Sequence, residues 1–131
     1  MSHNDSENFG RCKRIADDVT LIADGAYIDD DENVIGADEY EGLSEEEQEA
    51  YRPYDLYEYI SDCLDYTYTL NAGGSYRCCR VWVTLGGPNV AIDTSDMAVL
   101  LWWGLDTASY GLSIDVCNAI DDVVSEIVGC Q

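Results

Sequence analysis

Four carboxylates recur at helical spacing in the middle of the chain, and they are Asp55, Glu58, Asp62 and Asp65. Their spacing of 3, 4 and 3 residues predicts that all four lie on one side of a helix, roughly 5–6 Å apart. No Lys or Arg lies between Pro53 and Tyr76 to neutralise them. Phosphates along one DNA strand repeat at a similar distance of about 6–7 Å. A rigid row of carboxylates could therefore enter a groove that binds a phosphate backbone, although a solvated helix face is the plainer interpretation of such a row alone.

Eleven further acids lie between positions 29 and 49, and this density favours a surface that contacts a basic partner. Two runs stand out, and they are Asp29, Asp30, Asp31 and Glu32, followed by Glu45, Glu46 and Glu47. We predict that the four spaced carboxylates bind the partner and that these two runs form outer contacts.

The first acidic run also invites comparison with a calcium-binding loop. Asp29, Asp31 and Asn33 match positions 1, 3 and 5 of an EF-hand loop. Position 6 should be Gly and is Val34, and position 12 should be Glu and is Tyr40. A specific calcium site is therefore not expected, and weak counter-ion condensation is left open.

Catalysis has little support in the sequence. His3 is the single histidine, so neither a Ser-His-Asp nor a Cys-His arrangement can form. The six cysteines lack both a Cys-x-x-Cys pair and a secretory context. We expect reduced thiols within the core, no metal, no cofactor and no enzymatic activity.

The charge balance indicates what the chain meets. The 131 residues include 27 acids and six bases, which gives a formal net charge of −21. A small domain is usually soluble at a net charge of roughly 2–8 in magnitude. Nucleic acid and anionic membranes should repel this chain, so we expect a basic partner protein and a cytoplasmic location in a host bacterial cell. Its three Trp and ten Tyr argue against disorder.

Apolar periodicity predicts the elements that position these groups. Helices are expected over 9–23, from Ser44 to about Tyr51, over 54–66 and after Ser113. A small hairpin is expected at 26–28 and 33–35, strands at 76–85, 90–93 and 97–103, and a loop at 104–112.

These elements predict an α+β fold with N-terminal helices, a three-stranded antiparallel meander and a C-terminal helix in two layers. We expect a single domain over 1–131, with a frayed tail at 1–8. Within it, 24–50 would hold the acidic hairpin and the capped short helix, and 54–128 the helix-sheet-helix scaffold. Trp102 and Trp103 are adjacent in a strand, so both sheet faces must be covered or one is a binding surface.

The stretch from Asp55 to Ile127 resembles short proteins carried by phages and conjugative elements of gut bacteria. Four segments carry this resemblance, and they are Asp55-Leu-Tyr-Glu-Tyr59, Tyr76-Arg77, Gly86-Gly-Pro-Asn-Val90 with Asp93-Thr94, and Trp102-Trp103-Gly104. The pattern implies an origin in a mobile element. The acidic character of the whole chain is similar to that of DNA-mimicking anti-CRISPR and anti-restriction inhibitors.

That similarity implies a non-enzymatic inhibitor that occupies the nucleic-acid channel of a defence complex, and it leaves a homodimer open. The main alternative is an acidic adaptor that binds a basic partner through the aromatic face of the sheet. A third hypothesis is a structural protein that cations stabilise.

Overall fold

A computed structural model of the chain describes residues 3–129, and side chains from residue 7 onward. The helices are α1 (His3–Ala23), α2 (Ala37–Glu41), α3 (Glu45–Gln48), α4 (Leu56–Asp62) and α5 (Ile114–Val128). The strands are β1 (Ala26–Asp29), β2 (Val34–Gly36), β3 (Tyr51–Tyr54), β4 (Asp65–Leu70), β5 (Tyr76–Thr84), β6 (Asn89–Asp93), β7 (Ala98–Trp103) and β8 (Asp106–Gly111).

Two antiparallel sheets confirm the α+β class, but the predicted three-stranded meander is wrong. A small sheet has the order β2-β1-β3, and a larger sheet is a five-stranded meander in the order β4-β5-β6-β7-β8. The strands that the sequence analysis missed are β3, β4 and β8. The predicted hairpin is present as β1 and β2, in which Tyr27 pairs with Ile35.

Helix α1 packs between the two sheets. It contacts β7 and β8 of the larger sheet, as well as β1 and β2 of the smaller one. Its buried stripe is Cys12, Ala16, Val19 and Ile22, each no more than 2% exposed, which repeats at the spacing of a helix face. The helix begins at His3, so the frayed tail predicted at 1–8 is wrong for residues 3–8. Met1 and Ser2 lie outside the described residues.

Strands β5, β6 and β7 turn alternate side chains toward the helices. Val81, Val90, Val99 and Leu101 are fully buried in one core cluster with residues of α1 and α5. Tyr76 at the start of β5 also faces this layer, since its hydroxyl donates to Asp121 of α5 at 2.6 Å. The opposite face of the larger sheet carries Arg80, Trp82 and Trp102, which are only half-buried.

The helix predicted over 54–66 is shorter than its apolar period suggested. Asp55 caps α4 by accepting a hydrogen bond from the Glu58 backbone N–H, and the helix ends at Asp62. Cys63 follows in extended conformation, and the chain enters β4, which pairs with β5 across the turn at 71–75. The alternating Tyr and Thr of 66–69 suit a strand better than a helix, and pairing with β5 decides the outcome.

The segment 104–112, predicted as a loop, contains β8. This strand pairs with β7 along its length, from Ala98 opposite Gly111 to Trp103 opposite Asp106. Ala108 and Tyr110 pack on the core from one side of the strand, so its apolar alternation is limited to two residues. The helix predicted from Ser44 to about Tyr51 ends at Gln48, and residues 51–54 form β3, which pairs with β1.

Two predicted helix caps are confirmed. Ser44 and Glu47 form a reciprocal capping box at α3, and the Ser113 hydroxyl accepts from the Val116 N–H at the start of α5. Each cap satisfies backbone N–H groups that have no partner within the helix.

The core position predicted for the cysteines is confirmed for Cys12, Cys79 and Cys117, while Cys63 packs at the edge of the core cluster and Cys78 lies outside it. Cys12, Cys79 and Cys117 are buried, Cys63 and Cys78 are half-buried, and all five are free thiols. Burial raises the pKa of both Cys63 and Cys79 to about 11, which keeps these thiols protonated and unreactive at neutral pH. Cys130 lies outside the described residues.

Helix α5 supplies a matched pair of substitutions that tests this core. Ile120 is 1% exposed and Ile114 is 61% exposed on the same helix. We expect Ile120→Ala to lower the free energy of unfolding by about 2–5 kcal/mol, because the lost methyl groups leave a cavity. Ile114→Ala should change it by less than about 0.5 kcal/mol. Urea denaturation followed by circular dichroism measures both, and equal losses would contradict the described packing of α5.

Candidate functional site: an acidic lobe

The negative charge is concentrated in residues 24–62, which we call the acidic lobe. This segment carries 15 acids and one base, a net charge of −14, and comprises β1 to β3 with α2, α3 and α4. The larger sheet and its turns, residues 65–111, carry four acids and two bases, a net of −2. None of the 15 acids in the lobe is buried. Two thirds of the net charge of the chain therefore faces solvent from a segment of 39 residues.

The turn between β1 and β2 is shaped by one of its own carboxylates. One oxygen of Asp29 accepts from the backbone N–H groups of Asp31 at 3.0 Å and Asn33 at 2.8 Å, and the other accepts from Asn33 Nδ2 at 3.1 Å. These bonds lower the pKa of Asp29, since they favour its charged form. Asp29 therefore shapes the turn, while Asp30, Asp31 and Glu32 remain exposed around it.

The acids of helix α3 also differ in role, because one accepts a hydrogen bond within the protein and two remain exposed, as in the Asp29 turn. The Glu47 side chain accepts from the Ser44 backbone N–H, which lowers the pKa of Glu47. Glu45 and Glu46 are exposed in the first turn, where the N-terminal end of a helix favours negative charge. The capping box thus orients a short helix whose other two acids point into solvent.

The predicted row of four carboxylates is wrong as a helical row. Only Glu58 and Asp62 lie in α4, because Asp55 is its N-cap and Asp65 begins β4. Nor is the row without a base. Arg52 of β3 donates from Nη1 to Glu58 at 2.7 Å, a contact that was not predicted because Arg52 lies on a different element from Glu58. Asp62 accepts a long hydrogen bond of 3.4 Å from the Tyr54 hydroxyl.

Helix α2, which was not predicted, adds three acids to the surface of the lobe. They are Asp38, Glu39 and Glu41, all exposed. Tyr40 holds this helix in place by stacking on Tyr27 of β1, with ring centroids 3.7 Å apart and an angle of 5°. Gln48 of α3 donates from Nε2 to the Tyr40 carbonyl at 2.9 Å. These contacts fix α2 and α3 against the small sheet, although neither helix buries a residue of its own.

Few bases neutralise these acids. Among the side chains described, those of residues 7–129, the ion pairs are Lys13–Asp17, Arg52–Glu58 and Arg80–Asp93, and only the second lies in the acidic lobe. The remaining carboxylates of the lobe meet no Lys or Arg at ion-pair distance within the part of the chain described.

The outer face of the larger sheet, opposite the helices, is chemically different from the acidic lobe. The Arg80 guanidinium lies 5.6 Å from the Trp82 ring and 5.3 Å from the Trp102 ring, and the two rings are 5.7 Å apart. Arg80 is paired with the nearly buried Asp93 at 2.8 Å. Ala91, which pairs with Trp82 across the sheet, is fully buried on this face. The two rings and the guanidinium therefore cover part of the sheet without an additional layer, while Trp103 is 45% exposed.

Two further features bear on ligands. Among the side chains of residues 7–129, no group of three or more His, Cys, Asp or Glu is arranged to hold a metal ion. None of the helices of residues 3–129 is both long enough and apolar enough to cross a membrane.

Comparison with known proteins does not place the chain in a family. Neither the family models, nor the curated proteins, nor the solved structures include a match to this chain. The chemistry of the acidic lobe and of the larger sheet is therefore the basis for the function proposed below.

The unpaired carboxylates of the acidic lobe predict how salt changes the thermal stability of the protein. Because screening weakens repulsion among exposed carboxylates, we expect 0.5 M NaCl to raise the melting temperature on the order of 5 °C, about 1 kcal/mol of stability. Calcium and magnesium chloride at equal concentration should give equal increases, because Asp29 is already engaged by backbone and side-chain donors. Differential scanning fluorimetry measures each shift. A larger increase with calcium that Asp29→Asn abolishes would contradict this account.

Proposed function

We propose that this protein is a non-enzymatic inhibitor that mimics DNA and blocks the nucleic-acid-binding channel of a bacterial defence complex. The observation that carries the proposal is the acidic lobe, with 15 acids, one base and a net charge of −14. Such a complex, a CRISPR effector or a restriction enzyme, lines its channel with Lys and Arg that bind phosphates. The exposed carboxylates of the lobe would contact those bases in place of DNA, within the cytoplasm of the host.

The way the lobe is held supports this role. A mimic gains affinity when its charges are already positioned, because little side-chain and backbone freedom is then lost on binding. The Asp29 turn, the capping box of α3 and the Tyr27–Tyr40 stack hold the carboxylate-bearing segments in place. Most of the acids have no internal ion pair to break, so contact with a basic channel costs little beyond their desolvation.

We propose different roles for the acids that were predicted to bind the partner. Asp29, Glu47 and Asp55 accept hydrogen bonds from the backbone, so they maintain the surface, and Glu58 is held by Arg52. Asp65 lies in β4, beyond the lobe. The direct contacts are then Asp30, Asp31, Glu32, Glu45, Glu46 and Asp62, joined by Asp38, Glu39 and Glu41 of α2.

The outer face of the larger sheet favours one alternative. Trp82, Trp102 and Arg80 form a cation–π cluster on a face that, among residues 3–129, no helix covers. Aromatic residues and Arg are enriched at protein interfaces. An adaptor would use this face to bind a basic partner without excluding DNA, and the acidic lobe would serve association rate and solubility.

Charge reversal with a matched control tests the leading proposal. The lobe variant is Asp30→Lys, Glu39→Lys and Glu46→Lys, and the control is Glu7→Lys, Asp122→Lys and Glu126→Lys on α1 and α5. All six side chains are exposed, and both variants change the net charge by the same amount. At about 1 kcal/mol per reversed charge, the lobe variant should bind a target complex on the order of 100-fold more weakly.

The readout is transformation of a targeted plasmid into bacteria that carry a CRISPR effector or a restriction enzyme. The wild-type protein and the control variant should protect the plasmid, and the lobe variant should not. Equal protection by both variants would refute DNA mimicry. Loss of protection only when Trp82 and Trp102 are changed to Thr would favour the adaptor.

A further inference from the structure

A cleft lies where the acidic lobe meets the body of the protein. It is bounded by α1, the β1–β2 hairpin, the end of α4 and β5, and it has a volume of about 550 Å³. Ile22, Ile28 and Val83 contribute apolar surface to it, and Tyr54 and Tyr59 contribute two rings in edge-to-face contact with centroids 6.3 Å apart. This volume lies within the range of pockets that hold ligands in proteins, roughly 300–1,000 Å³.

Three carboxylates line the same cleft, from three separate elements. They are Asp18 of α1, Glu32 of the β1–β2 turn and Asp62 of α4. No Lys, Arg or His is among the residues that line it, and none of the three carboxylates forms an ion pair with a side chain of residues 7–129.

The nearby bases do not neutralise the cleft. Burial raises the pKa of Asp18, although the charge of Arg14, one turn earlier on α1, opposes this effect. The charge of Arg52 reaches Asp62, but its guanidinium is held by Glu58 at 2.7 Å. The three carboxylates place negative charge beside apolar and aromatic surface, so the cleft is electrostatically complementary to a cation with an apolar stem.

We propose that this cleft binds the side chain of an arginine from the basic partner, with the guanidinium against the three carboxylates and the stem along the apolar wall. The proposal rests on the proposed function and specifies an anchor for it. Arginine suits the cleft better than lysine, because the planar guanidinium is weakly hydrated, pairs with carboxylates in a fork and stacks on aromatic rings. The chain already contains such a contact, since the Arg52 guanidinium lies 5.5 Å from the Tyr54 ring.

The probe is Nα-acetyl-arginine methyl ester, which carries only the guanidinium charge. Its control is the citrulline analogue, in which a neutral urea replaces the guanidinium. At constant ionic strength, ¹H–¹⁵N NMR should show saturable shifts centred on the cleft, at Tyr54, Tyr59 and Val83, with the arginine ester. The citrulline ester should leave these signals in place.

Two variants of equal charge separate the cleft from the general acidity of the lobe. The cleft variant is Asp18→Asn, Glu32→Gln and Asp62→Asn, and the control is Glu41→Gln, Glu46→Gln and Glu49→Gln, three exposed acids outside the cleft. We expect the cleft variant to bind the arginine ester at least roughly tenfold more weakly, and the control variant to bind within about twofold of the wild type. Asp62→Asn alone, at an exposed position, provides a second test if the triple variant is destabilised.

Shifts that spread over the whole lobe, shifts that the citrulline ester reproduces, or binding that survives in the cleft variants would overturn the proposal. Failure to detect saturable binding of the arginine ester would do the same. The titration contains no partner protein, so its outcome is independent of the plasmid assay. Plasmid protection without probe binding would refute the arginine site in the cleft but not the proposed inhibitor.

Discussion

The apolar stripe of α1 is the constraint on which the rest of the structure depends. Cys12, Ala16, Val19 and Ile22 are at most 2% exposed and join both sheets in one core. Burial of a side chain such as Val19 or Ile22 contributes about 1.5–3 kcal/mol relative to its exposure. That stripe holds a lobe of net charge −14 against a sheet of net charge −2, so packing on one helix opposes the repulsion that would otherwise separate the lobe from the body.

Local hydrogen bonds and one ring stack position the segments of the lobe that do not pack in the core. Helices α2 and α3 bury no residue, and helices this short do not persist on their own. They are positioned by the Tyr27–Tyr40 stack, by Gln48 and by the capping box at Ser44. Some acids are therefore used as hydrogen-bond acceptors that shape the lobe, and the others are left free. On the outer face of the larger sheet the charges are neutralised instead, because Arg80 pairs with Asp93 beneath two Trp rings.

Features encoded by local sequence were predictable, and features that depend on distant partners were not. The buried positions of α1, the β1–β2 hairpin and the caps at Ser44 and Ser113 follow from periodicity and side-chain chemistry within a few residues. Strands β4 and β8 are defined by pairing with β5 and β7, which their own sequences do not specify. The acids of the lobe were evident from composition. The predicted helical row of four carboxylates was wrong because α4 ends at Asp62. The cleft could not be predicted, since Asp18, Glu32 and Asp62 come from three elements.

The central claim is that the lobe takes the place of nucleic acid on a basic channel. Its most direct test is a competition experiment, in which a defence complex that the protein inhibits is loaded with a fluorescent DNA duplex and titrated with the protein. DNA mimicry predicts complete release of the duplex, measured as loss of fluorescence anisotropy, with an apparent affinity that weakens steeply as NaCl is raised. A stable ternary complex, in which the duplex stays bound at saturating protein, would contradict it.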